Sequence, residues 1–186
     1  MSSDLNSPVF KYSLLTFCFF MILIFTGSIW IASNQFKKLG NIKMYKIPTK
    51  MERAISKMVQ GFPIENMTGD IAKRNPKVAT YLVANAKKES NWGKYSPKKN
   101  GQECYNYWGY RGSHNQTKSG YRCFDSPAHA VRVVGDRIED LLNQKIDTPR
   151  EMVILKCGSD CSVFSAGSVN KWISDVALYV HKIENS

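Results

Sequence analysis

In the run Glu89-Ser90-Asn91-Trp92-Gly93, one carboxylic acid stands where a proton donor would be useful. Val78, Tyr81, Leu82, Asn85 and Ala86 recur at helical spacing ahead of it, and neither proline nor glycine interrupts Lys77 to Trp92. This predicts a helix with Glu89 in its last turn and Gly93 as its stop. Tyr95, Tyr105, Tyr107, Trp108 and Tyr110 follow in a loop expected to lie close to the carboxyl. The partial negative charge of a helix C-terminus opposes a second negative charge there, and aromatic rings exclude the water that would solvate the ion. Both effects favour the protonated acid. A glutamic acid kept protonated among rings is what a glycosidase uses to protonate a leaving sugar oxygen. Taken alone, the pentapeptide also fits a solvated helix end, so its neighbours decide between the two. The histidines add nothing: His114, His129 and His181 have no partner at nucleophile or metal-ligand spacing.

The elements that must position Glu89 follow from the pattern around it. Thr49 opens a short amphipathic helix with Met51, Ile55 and Met58 on one face, expected to pack on the domain or on a lipid surface and broken by Gly61-Phe62-Pro63. Asp70 to Arg74 supply a further helical turn before Pro76 starts the Glu89 helix. Tyr105–Tyr110 and Ser119–Phe124 read as a β-hairpin with Gly112 to Lys118 as its tip. Ser126-Pro127 is a helix start, followed by the stripe Ala130, Val133, Val134, Ile138, Leu141 and Leu142, and Asp125 is expected to cap the turn into that helix. Thr148-Pro149-Arg150-Glu151 forms a capping box for a shorter helix ending near Cys157. The last helix is expected to open at Ser168 and to turn Trp172, Val176 and Tyr179 or Val180 inward. The soluble part is therefore mainly α with one small hairpin, an α+β arrangement without internal repeats or a phosphate-binding glycine loop.

Ahead of it, residues 13–32 form a 20-residue stretch without a charge, long enough to cross a hydrocarbon core. The run exceeds a signal-peptide core and shows no clean small-x-small cleavage site, which favours an uncleaved anchor. The expected organisation is an anchor over 1–36, a juxtamembrane spacer over 37–62 and a globular domain over 63–186. The net charge is +11, and Asp4 and Lys11 are the only charges before residue 37, so the excess lies on the soluble part. Such a surface suits nucleic acid, acidic lipid or an anionic cell wall. No helix shows a basic face interleaved with base-reading residues, which counts against a DNA-binding role. Lys37, Lys38, Lys43, Lys46 and Lys50 against Lys11 would by charge alone leave the domain in the cytoplasm. The cysteines oppose this. Cys18 lies in the apolar run, leaving Cys104 with Cys123 and Cys157 with Cys161 as two local disulfides of an exported domain. Neither spacing matches common zinc knuckles, and no metal or cofactor is assigned.

Glu89-Ser90-Asn91-Trp92-Gly93, then Tyr105-Asn106-Tyr107-Trp108-Gly109-Tyr110, then Tyr121-Arg122-Cys123-Phe124-Asp125-Ser126-Pro127 leading into a helix, resembles the glucosaminidase domain of family 73 glycoside hydrolases. The resemblance covers roughly residues 76–145 and rests on three short motifs in order. It implies a lysozyme-like helical fold and cleavage of the glycan strand of peptidoglycan after N-acetylglucosamine. It also implies Glu89 as general acid, with Trp92, Tyr105, Asn106, Tyr107, Tyr110 and Tyr121 at the sugar cleft. Asn106 matches the second residue of the family's Asn-Asn pair, and Tyr105 stands in place of the first. Tyr107 and Trp108 either stack on sugars or fill the hairpin base, Trp108 being the better core candidate. Family members often carry a second acid in the hairpin lobe, yet Glu103 is the only acid between Glu89 and Asp125. Either Glu103 activates a water across the cleft or the substrate's own acetamido group attacks the anomeric carbon. A lytic transglycosylase and a non-catalytic wall-binding module are the alternatives.

Overall fold

The helix that carries Glu89 is buried on nearly every side, which places it at the centre of the core rather than on its surface. The computed structural model describes residues 49–186 and, ahead of them, Met21. The proposed membrane span over 13–32, Met21 apart, and the spacer before Thr49 lie outside the described residues. Among those described, no helix is long and apolar enough to cross a membrane.

The described elements run α1 (Lys50–Val59), a 3-10 turn (Pro63–Met67), α2 (Thr68–Ile71) and α3 (Pro76–Ser90), then the two-residue strands β1 (Lys98–Lys99) and β2 (Gln102–Glu103). After these come α4 (Pro127–Asn143), a second 3-10 turn (Glu151–Val153), α5 (Ile154–Cys157) and α6 (Ala166–Glu184). The molecule is mainly helical, and α3 packs against both α4 and α6. Val78 to Ala86 are buried without a break, so the apolar stripe expected on one face is a helix surrounded by protein. Asn75 caps its start by accepting from Lys77 N–H, with Pro76 in the first turn. Its stop comes earlier than Gly93: Asn91 takes the left-handed conformation at φ 51°, and its amide returns to the Lys87 carbonyl at 3.1 Å.

Helix α1 has the full capping box of Thr49 and Glu52 and buries Ile55 and Val59. Of the two surfaces expected of it, domain or lipid, it uses the domain, with Met51 and Met58 partly buried against the same core. Ser126 caps α4 by accepting from His129 N–H, and Asp125 pairs with the His129 ring at 2.9 Å instead of capping the turn. The Thr148–Glu151 box forms as expected, Thr148 N–H donating to Glu151 at 3.0 Å. Helix α6 begins at Ala166, capped by Ser165, and buries Trp172, Val176, Val180 and Ile183. Val180 rather than Tyr179 takes the inward position.

The expected hairpin over 105–124 is the main correction. The only strands assigned among the described residues are β1 and β2, antiparallel, with Lys98 opposite Glu103 across Asn100-Gly101. Positive φ at Tyr105 (52°), Gly109 (63°) and Asn115 (48°) breaks the extended chain, which keeps single bridges at Arg111–Tyr121 and Gln116–Arg122. Asn106 holds this lobe together. It is fully buried, its Nδ2 donates to the carbonyls of Tyr110 and Arg122 at 2.7 and 2.8 Å, and its Oδ1 accepts from Tyr110 N–H at 2.9 Å. Both disulfides form as paired from the sequence, Cys104–Cys123 and Cys157–Cys161, so these sulfurs are not thiolate metal ligands.

Candidate active site

Glu89 leaves the last turn of α3 as an exposed side chain with one oxygen fixed. Trp172 Nε1 donates to its Oε1 at 2.5 Å. Trp172 is 1% exposed, so this donor is rigid and its only polar atom is aimed at the carboxyl. Helix α6 keeps its register against α3 through Asp175, which accepts from Lys88 at 2.6 Å and lies 3.0 Å from Lys171. The two lysines outweigh the upward push of burial and hold the Asp175 carboxyl below its ordinary range. On its other side the Glu89 Oε2 lies against Gly109, where an added Cβ would stand 3.2 Å away and 4.0 Å from the Tyr121 ring.

The aromatic enclosure expected around Glu89 is not there, because most of the rings have other work. Tyr95 is 70% exposed. Trp92, expected at the sugar cleft, is buried. Its Nε1 donates to the Val83 carbonyl at 3.0 Å and its ring sits between Phe62 and Tyr179, at 4.9 and 5.6 Å. The Lys87 ammonium lies 4.2 Å from that ring, and burial, then the nearby Lys182, pushes its pKa down. Tyr107 is also core. Burial, then the Glu103 and Tyr105 charges, pushes its phenol up to about 12. Trp108 Nε1 donates to the Leu82 carbonyl at 2.8 Å, the core role expected of it. Trp92, Tyr107 and Asn106 thus build the scaffold and offer no face to a sugar. Tyr105, Tyr110 and Tyr121 are only partly buried and stay available.

A cleft of about 540 Å³ opens between the Trp108–Arg111 turn, α4 and the segment from α5 to Phe164. Asn85, Gly109, Tyr110, Arg111, Arg137 and Lys156 are on its walls. Glu89 is not on its walls, but Asn85 precedes it by four residues on α3 and Gly109 lies beside its Oε2, so the carboxyl is adjacent to this cleft. Glu103 is elsewhere. It lines a separate depression with Lys99 and Tyr105, and its oxygens accept from the Ser96 hydroxyl at 2.8 Å and from Tyr105 N–H at 3.0 Å. The structure does not bring the two glutamates into one cleft.

Three residues of the site escaped the sequence. Trp172 was legible as core, but its indole direction depends on the α3–α6 packing. Gly109 follows an aromatic pair and carried no signal of its own. Asn85, a polar residue on the apolar face one turn before Glu89, was the visible clue. Compared with known proteins, the chain matches no family model, no curated protein and no solved structure.

Proposed function

We propose that the domain is a lysozyme-like enzyme that cleaves the glycan strand of peptidoglycan in the manner of an endo-beta-N-acetylglucosaminidase, with Glu89 as general acid. The observation that carries the reading is the exposed Glu89 carboxyl held by the Trp172 indole, next to Gly109 on the wall of an open cleft. A fixed carboxyl at the end of a central helix, reachable by a polymer, is the arrangement needed to deliver a proton to a glycosidic oxygen. Tyr110 and Tyr121 supply the ring faces for sugars. The uncharged run over 13–32 would tether the domain, and the two disulfides favour the extracytoplasmic side.

Glu103 is committed to its own loop, and among the described residues no carboxylate is on the walls of the Asn85 cleft. This favours a mechanism with one protein acid, in which the substrate's acetamido oxygen or an internal hydroxyl replaces a second carboxylate. A lytic transglycosylase is the second reading for that reason, and an anhydro-muramyl end in the products, read by mass spectrometry, identifies it. Replacing Glu89 by Gln keeps the indole contact and removes the proton. Product release from purified wall should fall by a factor of about 10² to 10⁴ with the melting temperature unchanged. Undiminished release by this variant would overturn the role, and wall binding by the parent chain without any product would mark a non-catalytic binding module.

A further inference from the structure

Lys87 precedes Glu89 by two residues, about 200° round α3, and it lines a different pocket, of about 510 Å³, shared with α1 and the end of α6. Met58, Trp92 and Tyr179 give this pocket apolar walls, and Lys57, Lys87 and Lys182 add three cations. No acidic side chain is on those walls. None of the three cations forms a salt bridge, to a side chain or to the chain's carboxyl end, among the described residues. Like charges around one space repel, and the pKa of Lys87 is pushed down by burial and then by Lys182. An anion placed between them removes that repulsion.

Two of the cations are already braced. Lys87 donates to the Asn91 Oδ1 at 2.7 Å, and its ammonium lies 4.2 Å from the Trp92 ring and 5.6 Å from that of Tyr179. The Lys182 ammonium lies 5.2 Å from the same tyrosine ring. Cations held in place take up an anion at low entropic cost. Lys57 stands free of the core, two residues from each of Ile55 and Val59 and so on the exposed side of α1. Apolar walls beside three cations fit an amphiphile with a negative head better than a small ion.

The chain itself points to which amphiphile. Residues 33–48 are all that separates the uncharged run from Thr49, the cap of α1. Fully stretched, those 16 residues reach about 55 Å at most. With the run as the anchor proposed above, a lipid headgroup is always within range, and the tether makes the encounter intramolecular. The connection also carries Lys37, Lys38, Lys43 and Lys46 and no acid, which draws it to an anionic bilayer surface.

We propose that this pocket binds the headgroup of an anionic phospholipid, its phosphate among Lys57, Lys87 and Lys182 and its glycerol and first methylenes against Met58, Trp92 and Tyr179. Bound in this way, the domain rests on the bilayer by α1 and the end of α6. Trp172, which holds Glu89, precedes Lys182 by ten residues on α6, about 15 Å along the helix. Glu89 also leaves α3 on the side opposite Lys87, so the acid is held off the lipid and turned away from it. The tether rests on the anchor reading; the pocket stands whether or not Glu89 cleaves glycan.

The test is the rate of lysine acetylation, read by mass spectrometry, on the full chain incorporated in nanodiscs of phosphatidylcholine and in nanodiscs of phosphatidylglycerol. Lys57 and Lys182 should react slower by about fivefold or more in the anionic discs, while the exposed Lys118 keeps its rate. Lys57→Gln should remove most of the protection at Lys182, and Lys118→Gln should leave it as it was. Equal slowing at Lys118 would mean diffuse attraction of a basic domain, and undiminished protection of Lys182 in Lys57→Gln would mean that the lysines do not share a ligand; either overturns the proposal. So would equal protection by inorganic phosphate added to the phosphatidylcholine discs, which marks a site for free anions. Should the chain enter neither kind of disc, the anchor reading falls. Dihexanoyl phosphatidylglycerol added to the free chain then decides the pocket, which stands if Lys57 and Lys182 are protected and falls if they are not.

Discussion

A methyl group added at Gly93, whose φ is +90°, would meet the Tyr107 ring at 2.8 Å, while one added at Gly109, φ +63°, would meet the Glu89 Oε2 at 3.2 Å. The two contacts differ in what can yield. Tyr107 is 3% exposed and backed by the core, so the ring cannot withdraw, and the backbone strain at positive φ adds to the overpacking. Gly93→Ala should therefore cost about 2–4 kcal/mol, read from denaturant unfolding. The Glu89 carboxyl is the end of an exposed flexible side chain and gives way. Gly109→Ala should cost only about 1–2 kcal/mol of strain, yet it pushes the acid off the Trp172 indole. Its expected signature is a larger loss of wall hydrolysis than of stability, the reverse of the Gly93 variant. Equal activity loss per unit of stability in the two variants would separate Glu89 from the chemistry.

At the scale of elements, the alignment of Glu89 with Trp172 depends on α3 and α6 holding register, and Asp175 supplies an ion pair between them. Its carboxyl titrates below its ordinary range in the folded protein because Lys88 and Lys171 outweigh burial. A depressed folded value means that the link stabilises fully above the unfolded pKa and is lost as the pH falls through the folded one. Thermal unfolding followed between about pH 2 and 6 should show stability falling on the acid side, and Asp175→Asn should flatten that limb. It should not abolish it, since Glu151, held low first by the Thr148 backbone N–H, and Asp160, held low first by that of Ser162, titrate there too. An unchanged acid limb in Asp175→Asn would remove the link. The helices themselves were legible from the sequence, because α1, α3 and α4 each announce a cap and an apolar period: Thr49 with Glu52, Asn75-Pro76, Ser126-Pro127. The lobe over 105–124 was not. Alternating aromatic residues imitate a strand, and nothing in their types reveals that Tyr105 turns to positive φ or that Asn106 replaces sheet hydrogen bonds with its own amide. The real hairpin did carry its signal, Asn100-Gly101, the dipeptide suited to a two-residue turn. For the site, residue type located Glu89, but whether Trp92 and Tyr107 face sugar or core is decided by helices far away in sequence.

For the whole molecule, the two disulfides tie stability to redox environment. Cys104 and Cys123 are 19 residues apart and Cys157 and Cys161 only 4, so loop-closure entropy assigns roughly 3 kcal/mol to the first bridge and roughly 2 kcal/mol to the second. Against a total of about 5–15 kcal/mol for a domain, losing both is a large fraction of the fold. The bridges also differ in place. The longer one closes the irregular lobe beside Asn106, where little regular secondary structure holds the chain, while Cys157 belongs to the wall of the Asn85 cleft. Paired Cys104→Ser and Cys123→Ser replacement should therefore lower the denaturant midpoint more than Cys157→Ser with Cys161→Ser. The second pair should show its larger effect in product release from wall, by loosening one side of the cleft. Adding a thiol reductant to the wild-type chain should reproduce the sum of the two losses. A midpoint that ignores reductant would mean that the bridges are not formed in the native protein, and the proposed extracytoplasmic placement, which rests on them against the flanking lysines, would lose its physical basis.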